Sequence, residues 1–197
     1  MEAAAIGLGI VFIIIMFLSA RNKLKKIREA VAQAQTEISQ ESEMTASVGL
    51  FHPDATSTVV IGASEEKGIF YYRLLQSGKT VVATKMNLAN LSRVELIVDH
   101  GVKDFDCFTS DQPTTSLKAK EVCGNVLSHY APTAIKALRR AALRISFVSE
   151  SGEVKTLEIT SLRETNNEGD EGIQAFRNAI WWVAFLNIAS RNSRHKR

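Results

Sequence analysis

Histidine and cysteine are the residues of this chain best suited to catalysis or metal binding, and both are few. The histidines stand singly, at His52, His100, His129 and His195. None of them comes with a nucleophile in a supporting local signature. Cys107 and Cys123 are too far apart for a CxxC motif, and no histidine pair accompanies them at metal-ligand spacing. The spacing therefore predicts no catalytic residue and no metal site.

Carboxylate pairs and glycine-rich loops offer no stronger signal. The acidic pairs are Glu65–Glu66, Asp104–Asp106 and Asp170–Glu171. All lie at predicted turns or at a helix start, where solvation and capping account for them. No GxxxxGK[ST] phosphate loop occurs, and a net charge of +3 does not indicate a nucleic-acid binder. We therefore expect no cofactor, no nucleic-acid partner and no enzymatic activity.

An apolar run opens the chain and is followed at once by a basic cluster. Residues 3–20 hold no charged side chain, and this is close to the length that an α-helix needs to cross a bilayer. The basic residues that follow are Arg21, Lys23, Lys25, Lys26 and Arg28. Under the positive-inside rule this order predicts one membrane-spanning helix, with the N-terminus outside and the remaining chain in the cytoplasm.

A cleaved signal peptide is the alternative interpretation of the same run. Such a signal has a basic segment before its apolar stretch, whereas the only charged side chain ahead of this run is Glu2. Ser19 and Ala20 still resemble part of a weak cleavage site. We expect a retained anchor in a bacterial inner membrane. In the cytoplasm Cys107 and Cys123 would be buried thiols, whereas a periplasmic location would favour a disulfide between them.

Beyond the anchor the hydrophobic period is first helical and then strand-like. Apolar side chains recur at three- and four-residue steps at Leu24, Ile27, Val31, Ala34 and Ile38. This stripe predicts a juxtamembrane helix that packs on its own domain, remains a stalk or pairs with a second copy. The predicted strands that follow cover residues 58–63, 69–75, 80–86, 92–98, 143–149 and 154–159. Polar turns between these β-branched segments predict an antiparallel meander and a later hairpin.

Two further helical segments accompany the predicted strands. Residues 117–142 follow a helical step that Pro132 interrupts, which predicts a one- or two-helix insertion within the sheet. Residues 170–190 predict a C-terminal helix that is apolar over most of its circumference and is therefore buried against a sheet. Of the adjacent Trp181 and Trp182, one indole enters the core and the other lies at its edge, and Trp182 is a candidate contact for lipid or a partner.

Basic clusters are the other candidates for binding. A cluster just cytoplasmic of a membrane helix suits anionic headgroups. The alternative is that the first cluster only sets topology and that the basic residues 191–197 form a solvated, frayed tail. The candidate lipid- or partner-binding residues are Arg21, Lys23, Lys25, Lys26, Arg28, Lys136, Arg139, Arg140 and Trp182.

Residues 88–101, LANLSRVELIVDHG, resemble the central strands of bacterial pleckstrin-homology-like (PH-like) domains. In that family an I/L-x-x-I-x-x-V-E-V-x-x-D-G rhythm marks these strands, and a final hairpin precedes a helix that plugs one end of a bent sheet. Residues 87–101, 143–159 and 170–190 match that order, whereas the insertion at 117–142 departs from it. The resemblance implies a binding or scaffolding module, often membrane-associated, and it implies no catalytic residue and no particular ligand.

The sequence thus predicts an α+β chain in four parts. They are a transmembrane helix at 1–20, a juxtamembrane helix and linker at 21–57, a PH-like domain with a bent antiparallel sheet, helical insertion and C-terminal capping helix at 58–190, and a basic tail at 191–197. We expect a non-enzymatic binding or scaffold module on the cytoplasmic face of the membrane, whose partner is a protein or a second copy. The alternatives are direct recognition of anionic lipid headgroups and an enzyme whose site is assembled only in three dimensions.

Overall fold

The chain folds as an α+β protein with two antiparallel sheets. The computed structural model describes residues 2–54, 56–103, 107, 111–149, 151–163 and 169–196, with side chains from residue 18 onward except at 163 and 169. The helices are α1 (Glu2–Glu41), α2 (Thr115–Ser128), α3 (Pro132–Lys136) and α4 (Gly169–His195). The strands are β1 (Ser47–Phe51), β2 (Ser57–Ser64), β3 (Ile69–Gln76), β4 (Lys79–Asn87), β5 (Leu91–Val98), β6 (Gly101–Lys103), β7 (Arg140–Val148) and β8 (Val154–Arg163).

The first sheet is a meander in the order β1-β2-β3-β4. Ser77 and Gly78 connect β3 to β4, and both have positive φ (50° and 80°). A two-residue hairpin turn of this kind matches the right-handed twist of the two strands. The strands predicted at 58–63, 69–75 and 80–86 are confirmed as β2, β3 and β4. The prediction missed β1, which pairs antiparallel with β2 inside the segment expected to be a linker.

The second sheet has the order β6-β5-β7-β8 and is antiparallel throughout. Strands predicted at 92–98, 143–149 and 154–159 are confirmed, and the helical insertion is confirmed as α2 and α3. The helix expected to resume through residue 142 is wrong, because β7 begins at Arg140. Asp99 Oδ1 accepts the backbone N–H groups of Arg139 (2.8 Å) and Arg140 (3.1 Å), which fixes the chain at the start of the strand.

α4 and the inner faces of both sheets form the main core. The largest fully buried side chains there include Trp182, Phe70, Phe176, Leu96 and Leu143. Gly49 of β1 is required at its position, since a Cβ there would lie 2.2 Å from the indole nitrogen of Trp182. The C-terminal helix predicted at 170–190 is confirmed, and it continues to His195, so most of the expected basic tail is helical.

The second half of α1 packs on the outer face of the first sheet. Ala34 and Ile38 of the helix are buried against the sheet. They form a second apolar cluster together with Val60, Tyr71 and Leu75. As a result β2 is buried along its whole length, since the main core covers its opposite face. Of the arrangements expected for the juxtamembrane helix, packing on its own domain is the one observed.

The predicted membrane-spanning segment forms the first half of α1. Its backbone is helical from Glu2, and no break separates it from the half that packs on the sheet. Within the part of the chain whose side chains are described, no helix is long and apolar enough to cross a membrane. Residues 3–17 of the predicted span lie outside that part, so the span itself stays a prediction.

Candidate functional site

The interface between α1 and the first sheet is held by ion pairs as well as by apolar contact. Arg73 of β3, whose side chain is only 14 % exposed, pairs with Glu37 and, at 3.2 Å, with Glu41. Lys85 of β4 lies 3.3 Å from the second oxygen of Glu41, and Lys67 pairs with Glu43 just past the helix end. Three basic side chains of the sheet and its turn are thus matched to three glutamates at the end of α1 and just past it.

The Arg73 hydrogen bond lowers the pKa of Glu37, and a further hydrogen bond from Gln33 (2.9 Å) acts in the same direction. Glu37 therefore stays ionised to lower pH than an ordinary glutamate, and the pair persists across the physiological range. This electrostatic match couples the helix to the sheet in one register.

The turn between β3 and β4 meets α1 at the basic cluster. A Cβ on Gly78 would lie 3.2 Å from the backbone oxygen of Lys26, so the turn rests directly on the helix backbone. Thr56 O accepts the N–H of Ser77 (2.8 Å), which brings the loop before β2 to the same level. At 1.5 Å per residue, Lys26 lies about 9 Å beyond Ala20 along the helix. The β3–β4 turn therefore meets α1 about 9 Å past the end of the apolar run, measured along the helix.

The predicted juxtamembrane residues are brought together on one short stretch of helix. Arg21, Lys23, Lys25, Lys26 and Arg28 are all exposed. Lys25 lies 3.8 Å from Glu29, an exposed pair of small energetic weight. Lys79, at the start of β4 beside the turn, is a further exposed cation, which was not among the predicted binding residues.

The other basic residues predicted to bind, Lys136, Arg139 and Arg140, are distributed over α3, the connection to β7 and β7 itself. Arg140 pairs with Glu158 of β8, and Arg144 lies 3.5 Å from the other oxygen of the same carboxylate. Lys136 ends α3 and Arg139 lies in the connection to β7, both exposed. The two strand arginines are therefore partly neutralised across the sheet rather than presented as a cationic helix face.

The prediction that Trp182 contacts lipid or a partner is wrong. Its side chain is 1 % exposed and lies in the main core against Gly49, so it cannot contact lipid or a partner. Its neighbour Trp181 is the tryptophan at the edge, partly buried and stacked on Phe185 with ring centroids 4.9 Å apart. The prediction assigned the two roles to the wrong members of the pair. Adjacent side chains on a helix differ in direction by about 100°, so a shift of one residue exchanges core and edge.

A concave, mainly apolar surface lies between α2 and α4, and we call it the α2–α4 groove. It has a volume of about 540 Å³, within the range of protein binding sites. Its lining residues are Lys120, Cys123, Gly124, Leu127, Gln174, Arg177, Asn178 and Trp181. A neighbouring hollow of about 470 Å³, between β1, β8 and α4, shares Gln174 and Asn178 and includes His52 and Glu171.

Hydrogen bonds fix the floor and one wall of the α2–α4 groove. Cys123 Sγ donates to the backbone oxygen of Arg177 (3.4 Å), and Asn178 Nδ2 donates to Leu50 O (3.3 Å). Burial raises the pKa of the Cys123 thiol, which leaves little thiolate at neutral pH and makes this cysteine a weak nucleophile. Such a groove is suited to binding rather than to covalent chemistry.

The remaining residues considered for chemistry lie apart from one another. Cys107 and Cys123 are both buried, and no disulfide joins them. His129 Nδ1 lies 2.7 Å from Asn125 O at the end of α2, and His52 Nδ1 lies 3.2 Å from Thr58 Oγ1. Among the described residues, no group of three His, Cys, Asp or Glu is placed to hold a metal ion. The pair Asp104–Asp106 lies outside the described residues.

Comparisons with known proteins give no match to this chain: no family model, no curated protein and no solved structure matches it.

Proposed function

We propose that this chain is a single-pass, membrane-anchored binding module that presents a non-enzymatic, PH-like domain on the cytoplasmic face of a bacterial inner membrane. The observation that carries this proposal is the unbroken α1, in which one helix contains both the apolar run and the residues packed on the first sheet. A flexible linker would let the domain tumble, whereas a helix of this kind would hold it in a fixed orientation.

The position of the β3–β4 turn supports the proposal. This turn contacts α1 about 9 Å past the end of the apolar run, which corresponds to the headgroup region of a bilayer. The exposed side chains at this level include Lys23, Lys26 and Lys79, which suit the negative cytoplasmic leaflet.

The fold supports the PH-like part of the proposal in general terms only. Two antiparallel sheets and a long C-terminal helix occur in the order that the resemblance implies. The α2–α3 insertion has no counterpart in that resemblance, and it supplies one wall of the α2–α4 groove. We infer that this insertion adapts the domain to its own partner.

Fractionation of cells that express the full chain tests the anchor. The native protein is expected in the membrane fraction after alkaline carbonate washing, and only detergent should release it. Ile14→Asp, in the middle of the apolar run, is expected to shift the protein to the carbonate-soluble fraction, since a carboxylate at a helix centre costs about 3 kcal/mol of insertion free energy. Leu24→Asp, beyond the run, is the matched control and should stay in the membrane.

Reporter fusions after Arg197 test the orientation. A reporter that is active only in the cytoplasm should work at this position. Activity of a periplasmic reporter there would show that the domain faces the other side, and recovery of the native chain without detergent would refute the anchor.

Recognition of anionic lipid by this same end of the domain is the second candidate function, favoured by the contact between Gly78 and Lys26. The test is a dye on Gln76→Cys in the reconstituted full chain, with a dye on Lys155→Cys in β8 as the control. Headgroup-attached quenchers should quench the first dye more strongly in anionic than in zwitterionic bilayers, and Lys79→Glu should reduce that difference. Equal quenching in both bilayers would remove lipid recognition while leaving the anchor intact.

A further inference from the structure

The α2–α4 groove has the lining that a third helix requires. On α2 its residues are Lys120, Cys123, Gly124 and Leu127, and on α4 they are Gln174, Arg177, Asn178 and Trp181. Both sets follow the spacing i, i+3, i+4 and i+7, which places each set on one face over two helical turns. The groove is thus a track between two parallel stripes of side chains, about 10 Å long on each helix.

Gly124 lets an incoming backbone approach closely. It is exposed in the middle of α2, and a Cβ built on it meets nothing within 4 Å. Leu127 and Trp181 supply the apolar contact at the far end, and Trp181 is held in place by stacking on Phe185. Aromatic residues and arginine dominate the binding energy of protein interfaces, and this groove contains both kinds.

The two charged residues that line the groove are basic and therefore favour an acidic occupant. Lys120 and Arg177 are exposed, one on each wall, and neither has an ion pair among the described residues. A second copy of the chain docking through the same groove would place these cations against each other, which costs binding free energy. An acidic partner would instead gain two complementary contacts.

We propose that the α2–α4 groove binds an amphipathic helix of a partner protein, with apolar side chains at i, i+3 or i+4 and i+7 flanked by glutamate or aspartate. This is the helix-in-groove mode of recognition. The inference rests on the proposed function, since it supplies the protein partner of the anchored module.

A pair of labelled peptides tests the proposal on the full chain in mild detergent, which does not require the chain to be anchored in a membrane. Each peptide is a stapled helix of about four turns with leucines at the anchoring positions; one carries glutamates beside them and its twin carries lysines instead. Fluorescence anisotropy should show at least about ten-fold tighter binding of the glutamate peptide, a difference of about 1.4 kcal/mol. Double replacement Lys120→Glu and Arg177→Glu should invert the preference.

Gly124→Phe provides a steric test that leaves the charges in place. It should weaken binding of the glutamate peptide about ten-fold without lowering the melting temperature, because nothing lies within 4 Å of the Cβ position. Equal affinity for both peptides, no binding of either, or a preference that charge reversal leaves unchanged would each overturn the inference. The fractionation result is independent of these arms, so a failed groove and a failed anchor are distinguishable.

Discussion

Gly62 and Ile38 offer the sharpest test of how α1 is attached to the sheet. A Cβ on Gly62 of β2 would lie 2.5 Å from Cγ2 of Ile38, a side chain that is fully buried. Gly62→Ala alone should therefore overpack the interface by about 1–3 kcal/mol. Because alanine is favoured over glycine in a strand by about 0.5–1 kcal/mol, we expect a net loss of about 1–2 kcal/mol.

Ile38→Ala removes the side chain that collides with the new methyl group. Alone it should cost about 2–4 kcal/mol, as for other buried isoleucines. In that background Gly62→Ala should become neutral or stabilising, since its methyl group fills part of the vacated space. The double variant should then be at least about 1 kcal/mol more stable than the sum of the single changes predicts.

Urea unfolding of the full chain in mild detergent, followed by near-ultraviolet circular dichroism, measures the four free energies. Leu24→Ala is the control on the same helix: its side chain is 57 % exposed, so its effect should add to that of Gly62→Ala within about 0.5 kcal/mol. If Gly62→Ala destabilises the native and the Ile38→Ala backgrounds equally, α1 does not lie on β2 in the manner described.

Three further predictions concern single residues and use the same unfolding measurement. Gly49→Ala should cost more than about 2 kcal/mol because its Cβ collides with the Trp182 indole, whereas Gly124→Ala, with open space around it, should gain about 0.5–1 kcal/mol; similar values for the two would contradict the packing. Tyr71→Phe should leave stability unchanged or raise it by up to about 1 kcal/mol, because the buried hydroxyl has no hydrogen-bond partner among the described residues, and a clear loss would reveal one. Hydrogen bonds from Thr56 and Ser57 lower the pKa of Asp54 from 3.8 to about 2, so the ionised carboxylate adds to the free energy of unfolding above pH 3.8 and this addition is lost as the pH falls toward 2. Asp54→Asn should therefore reduce the fall in stability between about pH 4 and pH 2, and an unchanged fall would refute the assignment.

Much of the fold is legible in the sequence because burial and local pattern agree there. β2 and β3 are β-branched or aromatic segments bounded by turns, and α4 has an apolar face that only a core can cover. β1 escaped prediction because its SVGLF segment is short and contains Gly49, whose role becomes visible only when Trp182 is placed beside it.

The start of β7 shows where tertiary pairing overrides local preference. Residues 134–142, AIKALRRAA, are rich in strong helix formers, yet the chain becomes a strand at Arg140. Ala141 and Ala142 are fully buried between β5 and β8, and pairing on both sides outweighs the helical preference of two alanines. The strand also changes the electrostatic surroundings of this segment. Glu158 of the neighbouring β8 pairs with Arg140 and Arg144, and the local sequence does not reveal that pairing.

The α2–α4 groove could not be predicted for the same physical reason. The inner face of α2 is visible as a helical step, but its outward stripe acquires meaning only beside the matching stripe of α4, more than 45 residues away in the sequence. Two helices that pack along each other leave a track on their exposed side, and the exposed residues of that track are free of the core's demand for apolar volume, although Cys123 at its floor belongs to the core. Lys120 and Arg177 can therefore be set by the occupant rather than by folding. α1 packs on the outer face of the first sheet and α4 lies on its inner face, so a helix bound in this track would contact elements other than the one that carries the proposed anchor.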